Sequence, residues 1–233
     1  MQLFYTNRIE NGLAILDEEE SRHALLVLRH RPGDVLHLTD GRGNRFTAEL
    51  MEAGKKQAML RILEQHPGLP APPFWLHVGI APPKHIDRLE WFVEKATELG
   101  VSEVTPLLCR RSERQNLRLD RLQKIAVSAM KQSARDHLPL VNPLTPFDQW
   151  IRAQQAARRF IGWIPEGEPE RHLNAFLAPK TDAVVAIGPE GDFDPEEVAV
   201  ALSCGFEAVS LGAARLRTET AGVLAVALLR EGG

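Results

Sequence analysis

Two short polar stretches gather the residue types from which a reactive site could be built. The first is Gly188-Pro189-Glu190-Gly191, directly behind the apolar run Ala183–Ile187. The second is Arg217-Thr218-Glu219-Thr220, within "SLGAARLRTETAG" (210–222), which follows another short apolar run and opens on glycine. A glycine-bearing loop behind a buried strand lets a ligand approach the backbone closely. The second stretch also precedes an apolar helix, whose first N–H groups are free to meet an anion or a polar ligand. Each stretch has a plainer reading on its own. Pro followed by Gly is ordinary turn chemistry, and "RTET" fits a helix cap with a dipole-stabilising glutamate. The pairing is more informative. Strand, glycine and polar loop occur twice at strands expected to be adjacent, and ligands of open α/β sheets sit at the carboxyl ends of strands. The two loops could form the floor and wall of one pocket.

Several chemistries are excluded. The 188–193 loop reads G-x-x-G, not the dinucleotide fingerprint. No phosphate-binding G-x-x-x-x-G-K-[ST] and no G-x-S-x-G nucleophile elbow occur. Cys109 and Cys204 are isolated, and the eight histidines lack metal-ligand spacing, so neither a structural metal nor a disulfide is expected. No apolar run approaches the roughly 18 residues of a membrane span, and the first ten residues lack a signal-peptide pattern. The expectation is a soluble cytoplasmic protein.

The elements that must position these loops can be read from periodicity. Residues 34–40, 45–53 and 55–65 alternate as strands, interrupted upstream by a helix over about Glu18–Leu28. This predicts a small β-barrel-like module. The proline-rich "EQHPGLPAPPF" (64–74) reads as an extended linker, placing the domain boundary at 1–70 and 71–233. Beyond it, strands over 74–80, 102–108, 158–164, 182–188 and 207–212 alternate with helices over 87–100, 118–134, 195–205 and 218–230, with a shorter helix near Pro146. That alternation predicts a mostly parallel sheet covered on both faces, an α/β domain. The last helix is apolar almost all round, which requires burial on every side, within one subunit or against a partner.

The net charge of −3 does not suggest nucleic-acid binding, but its distribution is uneven. From Arg110 to Asp136 eight basic residues face three acids. This is either a solvated helix face or a phosphate-attracting side.

The chain resembles the bacterial 16S ribosomal RNA (uracil-N3)-methyltransferases of the SPOUT superfamily. The motifs are "KATELGV" (95–101), "IGPEGDF" (187–193) and "LGAARLRTETA" (211–221), behind "RHALLVLRHRPGDVLHLTDGRGN" (22–44). The resemblance covers essentially the whole chain. It implies a PUA-like N-terminal β-barrel, a C-terminal α/β domain tied in a trefoil knot, a homodimer, and S-adenosylmethionine as cofactor. It implies methylation of uracil N3 in 16S ribosomal RNA, on the free RNA or the small subunit. By position, the cofactor loops carry Trp163 and Pro165, then Ile187, Gly188, Pro189, Glu190 and Gly191, then Leu211, Gly212, Leu216 and Thr218. Arg217, Glu219 and Thr220 fall beside the methyl group and the target base. Four positions depart from the family pattern: Asp192 and Ala134 stand where glycine is common, Lys131 where glutamate is usual, and Ala214 where arginine is common.

Given that resemblance, Arg217 is expected to offset charge developing on the uracil oxygens. Glu219 is expected to accept the N3 proton or to position the base. Glu190 either braces its loop by accepting backbone N–H groups or faces the substrate. The expected RNA surface comprises Arg22, Arg29, Arg31, Arg42 and Arg45 of the first module with Arg110, Arg111, Arg114 and Arg135. The rivals are a related methyltransferase with another target, such as a ribose 2′-oxygen, and an RNA-binding module without catalysis.

Overall fold

The computed structural model describes residues 2–54, 56–164, 171–177 and 180–231. The chain separates into two compact units. One comprises residues 1–71 with 127–138, and the other comprises 72–126 with 139–233.

The first unit is built on a six-stranded sheet of β1 (Leu3–Tyr5), β2 (Ile9–Glu10), β3 (Leu13–Ile15), β4 (Val35–Thr39), β5 (Asn44–Ala53) and β6 (Ala58–Pro67). Their order is β1-β4-β5-β6-β3-β2, antiparallel except for the β1–β4 pair. The alternation in β4 and β5 turns Leu36, Leu38, Phe46, Ala48 and Leu50 onto Phe4, Leu16 and Leu60. The short strands β1–β3 carry too few residues for a periodicity to be legible.

Two expectations for this unit are corrected. Helix α1 spans only Glu18–Arg22, capped by Asp17, and continues as a π-helical turn over His23–Val27. The linker begins later than residue 64, because β6 pairs with β5 as far as Pro67. Among the described residues no strand pairs with β6 on its other side beyond Arg61, so the missing Pro67 N–H interrupts no ladder there.

The second unit begins with β7 (Leu76–Ile80), α2 (Ile86–Glu98), β8 (Glu103–Leu108) and the start of α3 (Leu119–Gln132), whose residues from Val127 on belong to the first unit. It continues with β9 (Leu140–Val141), β10 (Thr145–Pro146), α4 (Phe147–Ala153), β11 (Arg158–Gly162) and β12 (Ala183–Ile187). It ends with α5 (Pro195–Ser203), β13 (Glu207–Val209) and α6 (Thr218–Glu231). The sheet order is β10-β8-β7-β12-β11-β13, with β9 beside β8 and all pairs parallel. Every residue of β7 and β12 is buried, as central parallel strands require. Val184, Ala186 and Ile161 pack with Phe147, Trp150, Val198 and Phe206 of the α4–α5 side. Helices α2 and α6 pack on each other, and α6 also packs on β7 and β12. Gly222 makes the α2–α6 approach possible, since a Cβ there would lie 2.6 Å from the Phe92 ring. Asp194, Pro195 and Glu197 open α5 with a capping box that fixes where the loop behind β12 ends.

Candidate active site

Strands β11, β12 and β13 are neighbours and run parallel, so their carboxyl ends open at one edge. A cavity of about 470 Å³ lies there, a size suited to a small-molecule ligand. Of the expected cofactor residues, Trp163, Ile187, Gly188, Pro189, Glu190, Leu211, Gly212, Leu216 and Thr218 line it. Pro165, with the rest of that first loop, lies outside the described residues. Gly191 is not in the lining; its carbonyl accepts from Arg111 Nη1 at 3.0 Å. The lining also includes Gly162, Ile164, Ser210, Ala214, Arg215 and Ala221, which lie within the expected strand end and motif stretch but were not assigned there as individual cofactor residues. Most of these carry no chemical signature, and only the strand order brings them to the cavity.

The two motif loops are tied directly. Thr218 is buried, and its hydroxyl donates to the Gly188 carbonyl at 3.1 Å. That bond fixes the start of α6 against the loop behind β12. Within that loop the Asp192 N–H donates to the Pro189 carbonyl at 2.9 Å. Asp192 has φ of 66°, a conformation that favours glycine, and its Oδ1 accepts from the Phe193 N–H. A short polar side chain that bonds locally is the non-glycine type best suited to that position. Gly212 turns the third loop at φ 127°, and its N–H donates to Ser210 Oγ.

The charged groups form two sets. Arg215 and Arg217 are exposed on the cavity lining, and no side-chain partner for either occurs among the described residues. The second set joins three elements. Arg88 of α2 donates from Nη1 to Glu190 Oε1 at 2.7 Å, and its Nε stands 3.8 Å from Glu219 Oε1. Glu190 therefore departs from the backbone-brace expectation: a guanidinium holds its carboxylate. Glu219 is 6% exposed, and its Oε2 is buried without a hydrogen-bond partner among the described residues. Thr220 is exposed and outside the lining. Arg88 was not singled out in the sequence; it lies on an ordinary amphipathic helix with no motif to mark it.

The expected RNA-binding arginines divide by environment. In the first unit Arg22, Arg29, Arg31 and Arg42 are exposed. Arg45 is instead drawn inward, bonding Asp136 at 2.7 Å and the Ala134 carbonyl at 2.6 Å. Arg135 is half-buried and engaged. In the second unit Arg110 pairs with Asp194 and Glu196, and Arg111 with Asp194. Arg114 donates to the Lys84 carbonyl. The two arginines just after β8 are thus paired with the acidic start of α5. The reversed charge at Lys131 is matched too, since its ammonium pairs with the buried Glu20.

Both cysteines are free, and burial pushes the Cys109 thiol well above its usual pKa, with the Glu197 charge adding to the effect. No group of three or more metal-ligating side chains occurs among the described residues.

Known proteins agree with this architecture. A family model described as an RNA methyltransferase domain matches residues 70–230, and one described as an RNA methyltransferase PUA domain matches residues 16–63. The chain is 31% identical over 235 residues to the ribosomal RNA small subunit methyltransferase E of Mycobacterium bovis, covering 96% of this chain and 89% of that one. The structure named as a probable rRNA-methyltransferase from Porphyromonas gingivalis superposes with a TM-score of 0.89 at 38% identity, covering 99% of each chain. The ribosomal RNA small subunit methyltransferase E of Neisseria gonorrhoeae, solved bound to S-adenosyl methionine, superposes at 0.84 with 31% identity, covering 99% of this chain and 97% of that one. With two motif loops lining one cavity at the carboxyl ends of a parallel sheet, and both family models matched, the chain belongs to the RNA methyltransferase family.

Proposed function

We propose that the protein methylates N3 of a uridine in small-subunit ribosomal RNA, using S-adenosylmethionine. The observation that carries the reading is the Arg217 guanidinium on the cavity lining, without a side-chain partner among the described residues, two positions before Glu219, which is outside the lining and has a buried Oε2 with no hydrogen-bond partner among those residues.

The cavity fits that cofactor in kind. Apolar Ile187, Leu211 and Leu216 suit an adenine face, and the backbone of the Gly188 and Gly212 turns offers polar groups for its edge and for the ribose. When bound, the sulfonium supplies an electrophilic methyl carbon. What remains for the chain is alignment, which can supply roughly 7–11 kcal/mol, and management of one proton. Glu219 Oε2 would accept the N3 proton of the uracil, leaving the nitrogen pair for the methyl group that the bound sulfonium would release as its C–S bond breaks, with that bond's electrons staying on sulfur. Arg217 offsets the negative charge that spreads to the uracil oxygens during that transfer.

The two parts of the chain, 1–70 and 71–233, act as RNA-holding and methyl-transferring domains in this reading. The exposed arginines of the first unit supply phosphate contacts. The half-buried apolar residues Val223, Leu224, Ala227 and Leu228 of α6 support a homodimer. A trefoil knot accords with the path of the chain, since α6 follows the edge strand β13 yet packs on the central strands β7 and β12.

The test is mass spectrometry of ribosomal RNA from a deletion strain. The expected result is loss of one 3-methyluridine from the small-subunit RNA, restored by the wild-type chain. Loss of a ribose-methylated nucleotide instead would assign the other target.

A further inference from the structure

We infer that Arg88 is a positioning residue for methyl transfer: it bridges the carboxylates of the two motif loops and so holds Glu219 with its second oxygen free as a proton acceptor. The inference rests on the proposed reaction.

The geometry is specific. Arg88 lies in the first turn of α2, on neither motif loop. One edge of its guanidinium bonds Glu190 Oε1 at 2.7 Å, and Nε faces Glu219 Oε1 at 3.8 Å. The first is a charge-assisted hydrogen bond; the second is an ion pair beyond hydrogen-bond range. A planar guanidinium can face two carboxylates at once in fixed directions, which a flexible ammonium cannot reproduce. The arrangement also leaves an asymmetry. Glu219 is 6% exposed, its Oε1 is turned to Arg88, and its Oε2 has no donor among the described residues. A buried acceptor without a donor is unfavourable in isolation. An imide N–H of a base satisfies it, and only once that base is in place. Neither Arg88 nor Glu219 is in the cavity lining, so the effect of Arg88 on the cofactor is indirect.

The balance of the step is simple. The N3–H bond breaks and its proton passes to Glu219 Oε2; the nitrogen pair would form the new C–N bond as the methyl C–S bond of the sulfonium breaks, its electron pair staying on the sulfur that leaves as a neutral thioether. Arg88 gains and loses nothing; it fixes the orientation of the Glu219 carboxyl group before the transfer.

Two measurements test this on the full-length protein. The first is single-turnover methyl transfer to small-subunit RNA, with the cofactor dissociation constant measured by calorimetry. Arg88→Ala is expected to slow transfer by about 100-fold, the scale of a misplaced reacting group, with cofactor affinity within about threefold of wild type. Arg88→Lys is expected to recover part of the rate. Because Arg88 acts through Glu219, Arg88→Ala combined with Glu219→Gln should be no slower than Glu219→Gln alone. Losses that multiply, or Arg88→Ala at the wild-type rate, overturn the inference.

The second measurement needs no activity. Arg88→Ala strands the Glu219 carboxylate and should lower the melting temperature, and adding Glu219→Gln should raise it again. If the double variant melts no higher than Arg88→Ala, the bridge is not what holds Glu219. A wild-type protein that leaves rRNA unmethylated, with this recovery intact, defeats the reaction and spares the bridge.

Discussion

At the residue scale, the proposed reactive groups are marked by which polar side chains lack partners among the described residues. Among the described residues, Arg217 has no side-chain partner and is exposed on the cavity lining, and Glu219 is buried with one oxygen unsatisfied. Thr218 between them is spent on the Gly188 carbonyl. Arg217→Ala should therefore lower single-turnover methyl transfer by roughly 10²–10³-fold, the scale of removing one preorganised charge-stabilising donor. Cofactor affinity measured by calorimetry should change little. Thr218→Val should act differently, weakening cofactor binding through the loop it holds. Motif reading singled out Arg217, Thr218 and Glu219 by side-chain type and put Thr218 with the cofactor loops, but no sequence feature announced the bond from its hydroxyl to the Gly188 carbonyl. Asp192, a departure from glycine by pattern, has its physical account in a φ of 66° and a bond to the next N–H. A β-branched residue cannot hold that conformation cheaply, so Asp192→Val should reduce stability to urea by about 1–2 kcal/mol, while Asp192→Gly should be tolerated.

At the element scale, the alternation of strands and helices was legible because each parallel strand and amphipathic helix carries its own periodicity. The order of the strands was not. Nothing local in Arg158–Gly162 or Glu207–Val209 says that they lie side by side, and that adjacency builds the cavity. The last helix was read as apolar all round. The structure buries Ala225, Val226 and Leu229 and leaves Val223, Leu224, Ala227 and Leu228 half-covered. Its seat on α2 depends on Gly222, whose Cβ would meet Phe92 and Ile80. Gly222→Val should destabilise the protein by about 1–3 kcal/mol in urea denaturation, and should slow methyl transfer because Glu219 rides on the displaced helix. The β7–α4 packing adds a pH dependence. His77 Nε2 accepts from Trp150 Nε1 at 3.2 Å, and burial lowers the His77 pKa below 6.5, with the Glu103 charge opposing. The unfolded chain therefore takes up this proton first as pH falls. This contribution to stability is complete above about pH 6.5 and declines as pH falls toward the depressed folded value. Melting temperatures from pH 7.5 to 5 should fall less steeply in His77→Gln than in wild type.

At the scale of the whole molecule, net charge said little and its placement says more. The sequence offered nine arginines as one basic surface, because composition cannot show which cations face carboxylates. Arg110 and Arg111 meet the acidic start of α5, and Arg45 meets Asp136, which is fully buried. Arg22, Arg29, Arg31 and Arg42 stay exposed. An exposed guanidinium that neutralises an RNA phosphate releases a counterion, so binding should weaken with salt. The logarithmic slope should be about 0.7–0.9 per phosphate contacted. An arginine already paired with a buried carboxylate contributes little to that slope. Two single variants separate these roles. Arg31→Ala should lower RNA affinity at low salt, reduce the salt slope by about one contact, and leave urea stability unchanged within about 0.5 kcal/mol. Arg45→Ala should leave the slope intact and cost about 1.5–3 kcal/mol of stability, because Asp136 loses a charge-assisted partner and keeps only the Leu69 N–H at 2.6 Å. Filter binding of small-subunit RNA across a salt series, paired with urea melts, reads both quantities. A shallower slope in Arg45→Ala with stability unchanged would return Arg45 to the RNA surface and detach it from the fold.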